Sequence, residues 1–176
     1  ICGFETVTIL YDGEVEHRDS GGNSGKIGPG DVQWMTAASG VVHEEMHSAE
    51  FSRRGGKLEA AQLWVNLPAK EKMSAPRYQG ILDVEIPVVK LPDDAGQVRV
   101  IAGRYGNANG AARTFTPIDL WDVRLRAGCS LEFSLPAGHT TAISVLQGHL
   151  TADGRSAREA ELAVFGREGT QLRVEA

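Results

Sequence analysis

The run His43-Glu44-Glu45 carries the sharpest chemical signal in the sequence. In an extended strand, side chains at i and i+2 share a face, so His43 and Glu45 converge on one point. An imidazole beside a carboxylate suits a divalent transition metal, and few protein ligands leave positions open for substrate or dioxygen. Taken alone, a His-x-Glu pair is more often surface polarity, so its surroundings decide what it means. His47 has the same parity but stands in a polar stretch and is expected to be exposed. His17, between Glu16 and Arg18, reads as an exposed residue on a hairpin arm, and His139 and His149 follow turn glycines. Cys2 and Cys129 have no neighbouring His and acid to activate a thiol, so neither is expected to be a nucleophile. Two thiols so far apart make no disulfide framework and fit a reducing cytoplasm. The stretch 103–110 (GRYGNANG) lacks the spacing of a phosphate-binding loop and reads as an ordinary loop.

The elements around these residues read as short strands. Residues 4–11 (FETVTILY) are β-branched and aromatic and end at Asp12-Gly13, a hairpin turn signal, with residues 14–19 as the returning strand. Gly28-Pro29-Gly30-Asp31 is a rigid turn, and strands follow over 32–36, 41–46 and 62–67. Residues 69–73 make the one short helical turn. The second half gives strands over 98–102, 120–125, 131–135, 142–146, 163–165 and 171–174. Strands at this spacing, with 21 glycines among 176 residues to turn them, imply an antiparallel sandwich or barrel. Residues 9–15 (ILYDGEV) are echoed by 144–150 (SVLQGHL), as two copies of one barrel would produce. Trp34, Trp64 and Trp121 are expected in barrel cores.

The run Gly28-Pro29-Gly30-Asp31-Val32-Gln33-Trp34-Met35-Thr36-Ala37-Ala38-Ser39-Gly40-Val41-Val42-His43-Glu44-Glu45-Met46 closely resembles the second cupin motif of the pirin family. Gly3-Phe4-Glu5-Thr6-Val7-Thr8 resembles the end of that family's first motif. Gln62-Leu63-Trp64-Val65-Asn66-Leu67-Pro68, with Lys72-Met73 and Pro76-Arg77-Tyr78-Gln79, resembles the block that follows. The resemblance implies an all-β bicupin: two antiparallel β-barrels of the double-stranded β-helix (jelly roll) type, face to face. Its barrels would be residues 1–90, with the metal-type pocket, and 98–176, without a metal motif, joined by a linker over 91–97.

In the family, three histidines and one glutamate hold a metal, usually iron. Two of those histidines come from a His-x-His-Arg pattern just before Gly-Phe-Glu, and the other two ligands match His43 and Glu45. Here Ile1-Cys2 stands where the family has His-Arg. Glu5 shares parity with those positions and is a further candidate ligand, against the plainer reading of a hydrogen-bonded carboxylate. The start at Ile1 rather than Met, just before a strand, reads as a piece of a longer protein, as does the end within a strand.

The resemblance implies a dioxygenase that uses Fe(II) to open flavonols such as quercetin. A carboxylate in a desolvated pocket gains proton affinity, so Glu45 is also the candidate catalytic base toward a substrate hydroxyl. The alternatives are a non-enzymatic, metal-responsive co-regulator bound to a transcription factor, or a degenerate metal-free relative. A net charge of −5 leaves no broad basic footprint for direct nucleic-acid binding. No apolar run approaches the ~20 residues that cross a bilayer as a helix. A cytoplasmic monomer with a small aromatic substrate is the expectation.

Overall fold

Strands form where β-branched and aromatic residues alternate, and Gly, Pro, Asn and Asp end them. The structure, a computed structural model, describes residues 1–176. Its first strands are β1 (Phe4–Asp12), β2 (Val15–Asp19), β3 (Ser24–Ile27), β4 (Val32–Thr36) and β5 (His43–His47). Helix α1 (Ala49–Arg54) precedes β6 (Glu59–Asn66) and β7 (Arg77–Ile81). Then come β8 (Val88–Lys90), β9 (Gly96–Ala102), β10 (Arg104–Tyr105), β11 (Ala108–Asn109) and β12 (Leu120–Leu125). The last are β13 (Ser130–Ser134), β14 (Ala142–Ser144), β15 (His149–Ala152), β16 (Arg155–Arg158), β17 (Leu162–Val164) and β18 (Gln171–Glu175). The fold is all-β apart from α1 and three short 3-10 turns.

Two compact units divide the chain: Ile1–Val89 with Arg99–Asp122, and Lys90–Val98 with Val123–Ala176. Strands β8, β9 and β12 each supply residues to both units. The stretch 91–97, expected as a linker, holds the 3-10 turn Pro92–Asp94 and the start of β9.

In the first unit, one antiparallel sheet has the order β6-β1-β4-β7 and a second the order β3-β2-β5. Strand β1 is central and buried from Glu5 to Leu10, so both of its faces pack. One face puts Val7 and Ile9 with Val32, Trp34, Ile81, Ile86, Ile101 and Ala102 in the main core. On the other face Leu10 meets Val15 and Ile27, apolar residues of the second sheet.

The Asp12-Gly13 turn makes no hairpin. β1 pairs with β4 and β6, while β2 pairs with β3 and β5. The turn instead carries the chain from one sheet to the other, with Gly13 at φ +92, where a Cβ would lie only 2.8 Å from the Leu58 side chain. A turn signal reports a local reversal; which strands pair is set by burial of β1 on both faces. Helix α1 was not expected either. Its start is marked by Ser48, whose Oγ accepts from the Phe51 N–H at 3.0 Å, and Arg53 and Arg54 lie in its last turn.

The second unit has sheets β13-β18-β15-β16 and β14-β17. Here the echo of residues 9–15 has a structural counterpart. Gly148, at φ +76, lies between β14 and β15, which belong to different sheets, as Gly13 lies between β1 and β2. The 103–110 loop closes as the small β10-β11 hairpin.

Candidate metal centre

Pairing of β2 with β5 sets His17 opposite Glu45 and Asp19 opposite His43. Alternation puts His43 and Glu45 on one face of β5, so three donor side chains meet there. One ligand atom each of His17, His43 and Glu45 lies within 4.8 Å of the others. His17 is buried, His43 half-buried and Glu45 exposed, so the group opens to solvent on its carboxylate side. The expectation that His17 is exposed is overturned: its residue is 0% exposed, because the inward face of β2 is covered by Tyr78 from β7. The Tyr78 ring stacks on His17 at 4.9 Å and 17°. Gly25 makes room for it, since a Cβ there would lie 2.2 Å from the phenol oxygen.

The carboxylates are held by neutral donors. Gln33 donates to Glu45 Oε1, and Gln62 donates to Oε2 at 3.1 Å and to Thr8 Oγ1 at 3.2 Å. The Tyr78 hydroxyl donates to Gln33 Oε1 at 3.1 Å, which turns the Gln33 NH₂ toward Glu45. Burial, with the charges of Glu45 and Asp19 nearby, pushes the Tyr78 phenol up to about 12. Asp19 accepts from His17 Nε2 at 3.2 Å, from the backbone N–H groups of Gly21 and Asn23, and from the Asn23 amide. Burial opposes its charge, but these hydrogen bonds outweigh that cost and hold the carboxyl below the usual Asp value.

Glu5, the third sequence candidate, lies elsewhere. It projects with Val7 and Ile9 from the face of β1 opposite Thr8, is fully buried, and accepts from Thr36 Oγ1 at 2.6 Å. His47 is exposed, as expected. Trp34 is in the core, but Trp64 is 72% exposed and pairs with Phe4 at 5.0 Å. Trp64 shares a face of β6 with Gln62, which places an aromatic pair beside the donor group rather than in the core.

The fold is that of a known family. The Pirin family model matches residues 2–65, and the Pirin C-terminal cupin domain matches residues 120–176. A Thermoplasma acidophilum protein named provisionally as a quercetin 2,3-dioxygenase is 32% identical over 189 residues, covering 98% of this chain and 72% of the relative. The chain belongs to the pirin family. Its two family matches give the bicupin layout. A Pseudomonas aeruginosa pirin relative with the same provisional name is 58% identical over 174 residues, or 99% of this chain and 61% of the relative. The crystal structure of a quercetin 2,3-dioxygenase from Acinetobacter baumannii gives a TM-score of 0.95 at 46% identity, covering 99% of this chain and 61% of that one. A bacterial pirin of Escherichia coli, solved in complex with nickel(II), shares the fold with a TM-score of 0.75 at 21% identity. This pirin chain thus spans 61% of the length of its Pseudomonas relative.

The pirin motif over residues 28–46 becomes β4, a turn and β5, so it delivers Gln33, His43 and Glu45 together. The two imidazoles and the carboxylate fit a divalent metal by type. Nδ1 of both His17 and His43 is buried without a hydrogen-bond partner, the state in which an imidazole nitrogen is free to ligate.

Proposed function

We propose that this chain forms the metal-binding part of a cytoplasmic pirin-type dioxygenase that acts on a small, flat aromatic enol such as quercetin, with iron held by His43 and Glu45. The observation that carries the reading is the convergence of His43 and Glu45 with buried, unpartnered imidazole nitrogen at hand. When bound, a divalent iron supplies the means of bringing dioxygen and an enolate into reaction.

The chain's own residues do the rest. Gln33 and Gln62 each hold one oxygen of Glu45, so the carboxylate keeps one orientation and retains lone pairs for a further partner. Glu45 lies at the open side of the group, where it accepts the proton of a substrate hydroxyl as general base. Tyr78 stays protonated at neutral pH and fixes Gln33. The exposed Trp64 ring, backed by Phe4, offers a face on which a flat aromatic substrate stacks. The free cysteines agree with a reducing compartment.

Anaerobic loading with Fe(II), metal analysis and oxygen uptake with quercetin test the reading. The wild-type chain is expected to carry iron and consume oxygen with quercetin, and His43→Ala to lose both. Equal metal content in wild type and His43→Ala overturns the metal reading. A flat oxygen trace from the iron-loaded chain overturns the enzyme reading in favour of a metal-responsive regulator.

A further inference from the structure

We propose that His17 is a protein donor of this metal centre, presenting Nδ1 to the ion, and that Asp19 is the positioning residue that sets its tautomer. The proposal rests on the metal reading above but assigns a residue that the pirin pattern leaves without a role, since the family's histidines precede Gly-Phe-Glu or match His43.

Asp19 Oδ1 accepts from the Gly21 N–H at 2.8 Å, the Asn23 N–H at 3.0 Å and Asn23 Nδ2 at 3.1 Å. Its Oδ2 accepts from Asn23 Nδ2 at 3.0 Å and faces His17 Nε2 at 3.2 Å. A carboxylate so surrounded by N–H donors is an acceptor only, so Nε2 of His17 carries the hydrogen. The lone pair of a neutral His17 is then on Nδ1.

That nitrogen is buried and has no partner, and so is Nδ1 of His43, on the strand paired with β2. The His17 side chain is 0% exposed, so water does not relieve it. Its ring is fixed by the Tyr78 stack on one side and by Asp19 at Nε2. A carboxylate that receives the remote N–H of a ligating histidine fixes the ring orientation and raises its basicity, which is the relation of Asp19 to His17. The resulting set, two imidazoles and one carboxylate from facing strands, leaves further positions of an iron open. Ligands around such an ion stand roughly 3 Å apart when its bonds are about 2.1 Å, so the group, spread over as much as 4.8 Å, draws in on binding.

Titration calorimetry of the full chain with Co(II), which resists oxidation, tests this with wild type, His17→Gln, Asp19→Asn and His43→Ala, each checked for folding by circular dichroism. Wild type is expected to bind one ion, His43→Ala to bind none, His17→Gln to bind at least about 100-fold more weakly, and Asp19→Asn roughly 10–100-fold more weakly. If His17→Gln binds as wild type does while His43→Ala fails, His17 is no ligand and the metal reading survives. If wild type itself binds no ion, both fall together. Should His17→Gln fail to fold, NMR of the Co(II)-loaded wild type decides. Strongly shifted ring signals from both His17 and His43, with an exchangeable Nε2–H on His17, support the assignment, and an unshifted His17 ring overturns it.

Discussion

At the scale of single residues, the site is a set of neutral donors arranged around two carboxylates, and Tyr78 links them. Its phenol rises to about 12 from an ordinary 10.0, through burial first and the charges of Glu45 and Asp19 second. The unfolded chain releases this proton near pH 10 while the folded chain keeps it, so stability is intact below that pH and falls as pH climbs toward 12. Solvent screening at a partly exposed phenol limits the loss to roughly 1 kcal/mol. Urea unfolding on either side of that window is expected to show the extra fall in wild type and not in Tyr78→Phe. An equal fall in both proteins would mean that Tyr78 is not the group responsible. The residue level is also where the sequence was least legible. His43 and Glu45 stood out because two residues of one strand suffice to aim them together. His17, Gln33, Gln62 and Tyr78 come from four other strands, and their meeting depends on register, which no local pattern records. Trp64 was misplaced for the same reason: alternation gives a residue a face, not what covers that face.

At the scale of elements, α1 shows how a short helix is held between strands. Its six residues are too few to be stable through backbone hydrogen bonding alone. Ser48 caps Phe51 and also donates to Glu14 Oε2, and Phe51 buries its ring with 5% exposure. Ser48→Ala removes the cap and is expected to cost about 1–2 kcal/mol in urea unfolding, while Ser48→Thr keeps most of it. No loss on Ser48→Ala would show that Phe51 packing alone fixes the helix. The strands themselves were readable because β-branched runs end at Gly, Pro and Asp. Their partners were not, as the Asp12-Gly13 turn illustrates: the same turn residues serve a hairpin or a change of sheet, and burial of β1 on both faces chooses the second.

At the scale of the whole chain, the expected boundary near residue 90 meets a core that draws on residues beyond it. Ile101 and Ala102 are fully buried with Val7, Ile9, Val32 and Trp34, and Ala111, Ala112, Ile118 and Leu120 pack against them. Arg99 adds an ion pair to the buried Asp122 at 2.7 Å, a second to Asp83 at 2.7 Å, and a hydrogen bond to the Gly30 carbonyl. A fragment of residues 1–89 therefore lacks part of its own core. Burying one Ile or Leu contributes about 1.5–3 kcal/mol, so the loss of Ile101, Ile118 and Leu120 together is on the order of 5 kcal/mol. That is comparable with the whole stability of a small domain, which is about 5–15 kcal/mol. The fragment 1–89 is expected to give collapsed amide dispersion in a ¹H–¹⁵N NMR spectrum, and 1–122 to give the dispersion of packed strands. A well-dispersed spectrum from 1–89 would place the unit boundary at residue 90 after all, because the face of β1 and β4 that meets Ile101 would then be tolerated in water.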